Sequence, residues 1–206
     1  MGDDLELLRA WSEGDQAAGN RLVRRHFDSV ARFFQSKIDA PATVADLIQR
    51  TFLGCVRARE RAEGITSFRA YALGVARRQL LEHFRQHHRE SKRLELLETS
   101  VHELGESPSQ VAAMRQEQKF LLAALQRLPL EIQMAVELHY WEQLPEREIA
   151  EVLEIPQGTV KSRLSRGREL LRKHVGDVVA TPQQLESTMH GLETWARGLR
   201  GKMGRD

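Results

Sequence analysis

Apolar residues recur at steps of three and four along almost the whole chain, the spacing that places side chains on one face of an α-helix. Only six prolines occur in 206 residues, and no extended run of β-branched residues competes with this pattern. We therefore predict an all-α chain. The predicted helices cover residues 3–13, 15–38, 41–59, 67–89, 108–126, 129–141, 146–153 and 156–174. Asp15 and either Thr66 or Ser67 are the expected N-caps of two of them, because their side-chain oxygens accept orphan amide hydrogens.

The net charge of +2 conceals an uneven distribution of charge along the chain. Residues 65–93 and 156–174 each have a net charge of +5, whereas residues 94–155 between them have a net charge of −8. Two basic segments on helical patterns are the footprint expected of a protein that touches nucleic acid at two places. Residues 94–110 are acidic and lose the helical periodicity, so we expect a linker there.

Several compartments and chemistries are disfavoured by the sequence. The single cysteine, Cys55, excludes an intramolecular disulfide and suits a reducing environment. The acidic start of the chain lacks the pattern of a secretory leader, and no run of eighteen apolar residues is present. We therefore expect a cytoplasmic protein that does not engage a membrane.

Catalytic motifs are equally scarce. The sequence contains no phosphate-binding glycine loop, no HExxH and no GxSxG pattern. His83 and His87 share a predicted helix face, but no third metal ligand is evident. Cys55 lies among apolar residues, where a free thiol is usually core filling. We expect no catalytic residue, no cofactor and no metal site.

The string "LPEREIAEVLEIPQGTVKSRLSRGRELLRKH", residues 144–174, predicts a helix-turn-helix. The short first helix is followed by a break at Glu154 and Ile155, and Pro156 starts the second helix. Successive residues of a helix are 100° apart, so Leu164, Gly167 and Leu171 of the second helix point within about 40° of the direction of Val160. These four residues form a stripe that we expect to face inward. The opposite side is polar and cationic, as base edges and phosphates in a major groove require.

Residues 128–174 resemble region 4 of the extracytoplasmic-function sigma factors, above all in "REIAEVLEIPQGTVKSRLSRGRELL". In that family the second helix of the motif reads the minus-35 promoter element. The resemblance implies base or base-proximal contacts from Thr159, Lys161, Ser162, Ser165 and Arg166. It implies phosphate contacts from Arg163 and Arg168.

Residues 5–93 resemble region 2 of the same family in the order and spacing of the whole block. The string "DLIQRTF" matches the motif whose helix docks on the coiled-coil of the largest polymerase subunit. The residues implied to contact the polymerase are Asp46, Leu47, Gln49, Arg50 and Phe52, and Thr51 also matches the motif. Arg50 departs from the family pattern, which usually has an acidic residue there.

The next predicted helix combines aromatic and arginine side chains, which suits single-stranded DNA because cations follow its backbone and flat surfaces receive its bases. In the family this helix and the loop before it capture the melted minus-10 strand. The implied contacts are Arg61, Thr66, Ser67, Phe68, Tyr71, Arg77, Arg78 and Arg85. Tyr71 replaces a common Trp, and Arg78 and Glu82 stand where the family often has Asn or Asp. Core packing is the alternative for Phe68, Tyr71 and Phe84.

The resemblance implies two small helical domains, with region 2 over residues 1–93 and region 4 over 111–176, joined by the linker 94–110. It implies a function in transcription initiation: binding core RNA polymerase, directing it to specific promoters and assisting promoter melting. The implied partners are core polymerase, at the coiled-coil of its largest subunit and at its flap, and promoter DNA, both double-stranded and melted. The resemblance leaves open whether an anti-sigma factor also binds.

The C-terminal extension, residues 177–206, carries a further amphipathic pattern. Apolar residues recur there at helical spacing, namely Leu185, Met189, Leu192, Ala196 and Leu199, with Trp195 at the border. An isolated helix of this length is marginal in water. We therefore expect it to pack on the chain's own region 2 or region 4, with an anti-sigma factor or polymerase as the alternative.

Two other classes of protein remain alternatives to a sigma factor. A dimeric repressor or activator would bind palindromic DNA without polymerase. A nuclease using His83 and His87 would cut nucleic acid in the presence of a metal ion. A sigma factor would instead act as a monomer bound to core polymerase.

Overall fold

The computed structural model describes residues 2–57, 64–90, 116–177, 179 and 181–190. Over these ranges the chain is α-helical, which confirms the predicted fold class. The helices are α1 Gly2–Ser12, α2 Gln16–Gln35, α3 Pro41–Arg57, α4 Phe68–Glu90, α5 Gln116–Gln126, α6 Leu130–Tyr140, α7 Glu146–Leu153, α8 Gln157–Gly176 and α9 Pro182–His190. The predicted linker 94–110 and the predicted helix start at 108 lie outside the described residues. No helix in the described part of the chain is long and apolar enough to cross a membrane.

The chain falls into two compact units, residues 1–92 with 151–154 and residues 93–150 with 155–206. The division agrees with two small domains. The domain boundaries proposed from the sequence remain predictions, because the residues at 93 and 110 are not among those described.

The first unit is built from α1 to α4, with α2 packed against each of the other three. Its core is formed by the apolar stripes of these helices, including Leu22, Phe34, Leu73 and Leu80, all fully buried. The Asp15 carboxylate caps α2 by accepting hydrogen bonds from two backbone amides, at 2.8 and 3.1 Å, as the sequence predicts.

A polar cluster ties α1 to α2 beside the start of α4. The Asp4 carboxylate accepts hydrogen bonds from Arg25 and from His26 Nε2, the latter at 2.8 Å. The His26 ring is buried and lies 5.4 Å, centroid to centroid, from the ring of Phe68, which also packs edge-on against Trp11. The N-terminal helix therefore holds the first residue of α4 in place.

The second unit has its core between α5, α6, α8 and α9. Its buried residues include Leu125, Val136, Leu171 and Val175. The α9 residues Leu185 and Met189 pack against this cluster, and Glu186 of α9 pairs with Arg172 of α8. The expected packing of the extension on the chain itself is therefore confirmed for residues 182–190, on the side of region 4. Leu192, Trp195, Ala196 and Leu199 lie outside the described residues.

The turn between α7 and α8 has the form predicted for a helix-turn-helix. Glu154 takes a left-handed conformation, with φ of +54°, and ends α7. The Ile155 amide donates a hydrogen bond back to the Ala150 carbonyl at 3.1 Å, and Pro156 precedes the first turn of α8. A break of three residues thus separates the two helices.

Candidate DNA-binding and polymerase-binding surfaces

Helix α8 presents the inward stripe and the polar face predicted from the sequence. Val160, Leu164, Gly167 and Leu171 are buried, and Val175 extends the stripe by one turn. Lys161, Ser162, Ser165, Arg166 and Arg168 are exposed, and Thr159 is half-buried. This arrangement leaves hydrogen-bonding groups and cations on one open face of α8.

Two exposed cations of α8, Lys161 and Arg166, make weak surface ion pairs. Arg166 lies 2.7 Å from Glu169 of the next turn, and Lys161 lies 3.9 Å from Glu146 of α7. The Ser162 hydroxyl donates to the Thr159 carbonyl at 2.9 Å and keeps its acceptor capacity. Pairs between exposed side chains contribute at most about 1 kcal/mol. A DNA phosphate or base edge can therefore replace them.

Arg163 differs from the other cations of the helix. Its Nη1 donates to Glu131 Oε2 of α6 at 2.6 Å, and the two side chains are only 22% and 16% exposed. The sequence placed Arg163 on a flank of the helix as a phosphate contact. The structure places its guanidinium against α6 instead, in a position that sequence spacing does not reveal because Glu131 is 32 residues away.

The start of α4 divides the predicted minus-10 residues between surface and core. Thr66 is exposed, and the Ser67 hydroxyl oxygen accepts a hydrogen bond from the Ala70 amide at 3.3 Å, so Ser67 is the cap of α4. Phe68 is 1% exposed and packs in the core, as the alternative stated for this residue predicts. Its contact with DNA stays a prediction.

The other minus-10 residues that the structure describes lie along α4. Arg78 and Arg85 are exposed, and Arg85 makes a surface ion pair with Glu82 at 3.2 Å. Tyr71 and Arg77 are half-buried, as is Phe84. Arg61 lies outside the described residues. Arg78 and Arg85 are seven residues apart and therefore lie near one face of the helix, where cations can follow a nucleic-acid backbone.

The "DLIQRTF" motif on α3 is likewise split between two faces. Asp46, Gln49 and Arg50 are exposed, and Arg50 pairs with Asp46 one turn earlier at 2.8 Å. Leu47 and Phe52 are buried in the core. The buried Thr51 hydroxyl donates to the Leu47 carbonyl at 2.8 Å. Leu47, Thr51 and Phe52 therefore support α3 from inside, and a direct contact of Leu47 or Phe52 with the polymerase stays a prediction.

Sequence reasoning missed the apolar part of this surface. Leu53 and Val56 on α3 are 46% and 37% exposed, and Phe27 on α2 is 43% exposed. The signal was present in the sequence. Leu53 and Val56 are apolar residues that fall off the inward stripe of α3, and such residues mark a contact face when they cluster. We call Asp46, Gln49, Arg50, Leu53, Val56 and Phe27 the α3 surface.

Cys55 and His26 are buried in the core of the first unit, and burial shifts the pKa of each. Burial raises the pKa of the Cys55 thiol to about 12, which keeps it protonated and unreactive. Burial also lowers the pKa of His26 despite its hydrogen bond to Asp4. Within the described residues, no group of three or more His, Cys, Asp or Glu could hold a metal ion.

Two family models match this chain in the order of its two units. The model of sigma-70 region 2 matches residues 22–90, and the model of sigma-70 region 4 matches residues 121–171. The first match contains all residues of the α3 surface and the arginines of α4. The second contains α6, α7 and most of α8, and it ends before α9.

The chain belongs to the sigma-70 family of RNA polymerase sigma factors. It acts as a sigma factor of the extracytoplasmic-function type, directing RNA polymerase in transcription initiation. The ECF RNA polymerase sigma-E factor of Escherichia coli K12 is 26% identical over 186 residues, covering 85% of this chain and 96% of that protein. The protein of the same name from Haemophilus influenzae is 24% identical, covering 84% and 95%.

Solved structures show the same fold. CnrH, in complex with the cytosolic domain of CnrY, matches with a TM-score of 0.65 and 20% identity, covering 86% of this chain and 99% of that one. The sigma factor RpoE from Bartonella quintana, in complex with the anti-sigma factor NepR, matches with a TM-score of 0.62 and 18% identity, covering 78% and 98%.

Proposed function

We propose that this sigma factor docks on core polymerase through the α3 surface, captures the melted minus-10 strand along α4 and reads the minus-35 element with α8. The observation that carries the proposal is the open polar face of α8, which follows a tight turn and lies opposite a fully buried stripe. Such a helix suits a major groove. Catalysis then belongs to the polymerase, and the site of action is the cytoplasm.

The α3 surface suits the polymerase because it combines apolar and charged groups. Leu53 and Val56 provide apolar area that water does not stabilise, and the Asp46–Arg50 pair forms a polar border. Protein interfaces commonly have an apolar centre and a polar rim. In this family the polymerase partner of this helix is the coiled-coil of the largest subunit, with the flap as the partner of region 4.

The DNA contacts are divided by side-chain exposure. On α8 we assign base or base-proximal contacts to Thr159, Lys161, Ser162, Ser165 and Arg166, and a phosphate contact to Arg168. On α4 and the residue Thr66 before it we assign contacts with the melted strand to Thr66, Tyr71, Arg78 and Arg85, and we assign no direct contact to Arg77, whose side chain is only 12% exposed. Ser67 acts here by capping α4, and Arg61 keeps its predicted role in the loop.

An anti-sigma factor is a further proposed partner. The solved RpoE of Bartonella quintana, which shares this fold, is bound to an anti-sigma factor. The α3 surface is the proposed target of such a protein, because a competitor that covers Leu53 and Val56 would block polymerase binding. Pull-down from the native host, with Leu53→Asp as the control bait, identifies this partner.

Promoter opening tests the proposed function. Core polymerase with the chain should make thymines of the minus-10 segment reactive to permanganate, at promoters mapped by transcript start sites. Arg78→Ala and Arg85→Ala should each reduce this reactivity while leaving polymerase binding unchanged, because both side chains are exposed on α4. Arg9→Ala, an exposed cation on α1, is the matched control. Reactivity no higher than with core polymerase alone contradicts the proposal.

A further inference from the structure

The ion pair of Arg163 and Glu131 is less exposed than the other arginine and lysine pairs described on the proposed recognition helix. The side chain of Arg163 is 22% exposed, whereas the side chains of Lys161 and Arg166 are 66% and 54% exposed. Glu131 lies in the first turn of α6, where the helix dipole already favours a negative charge. A partly buried, charge-assisted hydrogen bond of 2.6 Å in this position is stronger than the surface pairs beside it.

Gly167 lies one turn further along α8 and on the same side as Arg163. A Cβ added at Gly167 would lie 2.5 Å from Val136 Cγ2 and 3.2 Å from Ile132 Cγ2, both on α6. The backbone of α8 therefore touches α6 directly at this point. The Arg163–Glu131 hydrogen bond and the close packing of Gly167 on α6 therefore belong to one contact between α6 and α8. The two interactions lie about one turn apart along the helices.

Two such points fix both the distance of α8 from α6 and the rotation of α8 about its own axis. Successive residues of a helix are 100° apart, so a modest rotation would turn Ser162 and Arg166 away from a base edge and bring others toward it. The contact between α6 and α8 therefore determines which side chains of α8 face the DNA.

We propose that Arg163 is a positioning residue, which with Glu131 sets the rotation of the recognition helix, and is not a phosphate contact. This inference rests on the proposed function of α8 in reading the minus-35 element. It predicts that Glu131, which lies on α6, contributes to sequence recognition through Arg163. Gly167 completes the same contact because any larger side chain there must displace Val136 or Ile132.

The test compares four variants in complex with core polymerase: Arg163→Met, Glu131→Gln, the double variant, and the charge swap Glu131→Arg with Arg163→Glu. Fluorescence anisotropy over a range of salt concentrations measures binding to labelled promoter DNA and to DNA with a scrambled minus-35 element. Circular dichroism checks that each variant is folded. Arg168→Met, an exposed cation of the same helix, is the matched control.

A positioning pair predicts a fall of about tenfold in discrimination between specific and scrambled DNA for each single variant, equivalent to 1.4 kcal/mol. The salt slope should stay unchanged, the double variant should be no worse than the worse single one, and the charge swap should recover part of the loss. Arg168→Met should instead lower the salt slope by about one, with little change in discrimination.

The contrary outcomes are distinct. If Arg163→Met lowers the salt slope by about one while Glu131→Gln keeps full discrimination, Arg163 is a phosphate contact and the positioning role is wrong. If the unaltered protein with polymerase does not discriminate between the two DNAs, the proposed reading of the minus-35 element fails, and the positioning role fails with it. If Arg166→Ala abolishes discrimination between the two DNAs, α8 reads the minus-35 element. The Arg163 and Glu131 variants then test the positioning role alone.

Discussion

The ring of Phe27 lies parallel to the ring of Phe52, with an interplanar angle of 7° and centroids 6.3 Å apart. Phe52 is buried, whereas Phe27 is 43% exposed. The stack therefore connects the core of the first unit to its outer surface, beside the exposed Leu53. The "DLIQRTF" motif holds the fold with one face of α3 and leaves the other face exposed.

The first prediction separates these two faces. Leu53→Asp should weaken binding to core polymerase at least about tenfold, because burying a leucine in an interface contributes roughly 1.5–3 kcal/mol. Its thermal stability should be unchanged, since the side chain is exposed. Phe52→Ala should instead destabilise the chain by about 3–5 kcal/mol, the usual cost of removing a core phenylalanine.

Gel filtration with core polymerase and chemical denaturation measure the two effects. Glu6→Ala, an exposed change on α1, is the control and should alter neither. Equal polymerase affinity for Leu53→Asp and the unaltered chain would show that the α3 surface is not the docking face.

The second prediction concerns Arg166 and Arg168 of α8. Arg166→Ala should reduce the preference for the specific minus-35 sequence, because a good base contact discriminates by about 1–3 kcal/mol. Arg168→Ala should weaken binding to specific and scrambled DNA alike. Competition between the two DNAs for the polymerase complex measures both. If both variants lose affinity equally for both DNAs, the assigned roles are wrong.

The third prediction concerns the C-terminal extension. A chain ending at Val179 loses α9 and exposes the apolar cluster that Leu185 and Met189 cover. Its melting temperature should fall, and limited trypsin digestion should cut the remainder of region 4 faster. Met189→Leu, which conserves the apolar volume, should keep the stability of the full chain. An unchanged melting temperature after truncation would show that α9 does not stabilise region 4.

The fourth prediction is a loss of stability in mild acid through His26. Burial lowers the pKa of His26, so the unfolded chain binds a proton at higher pH than the folded chain. The stability that His26 contributes is therefore present above about pH 6.5, the ordinary value of the unfolded side chain, and is lost as the pH falls toward the lower folded pKa. Burial opposes ionisation of Asp4, but Arg25 and His26 lower its pKa below the ordinary value. The stability that the Asp4 carboxylate contributes is therefore lost only at a lower pH than that of His26.

Urea denaturation at pH 7.5 and 5.5 measures this effect. The unaltered chain should lose more stability between the two pH values than His26→Gln does. His174→Gln separates the contribution of the second unit, where burial also lowers the pKa of a histidine. The same pH dependence in the unaltered chain and in His26→Gln would contradict the prediction.

Local features of the structure followed from the sequence, and features that depend on distant residues did not. The inward stripe of α8 and the cap at Asp15 were predictable because both arise within one or two turns of helix. The family motif on α3 identified the helix but not its outward face, so Leu47 and Phe52 were assigned to the surface. The inward stripe of α3, from Val44 through Leu47 to Cys55, carried that information. The pairing of Arg163 with Glu131 could not be predicted, since it depends on how α8 lies against α6.

The most direct test of the account is to add the purified chain to core RNA polymerase and map the 5′ ends of the transcripts made from genomic DNA of the source organism. We expect discrete start sites that require the chain and share minus-10 and minus-35 elements at a constant spacing. The Leu53→Asp variant should lose these start sites. Transcripts that start at the same positions with and without the chain would contradict the account.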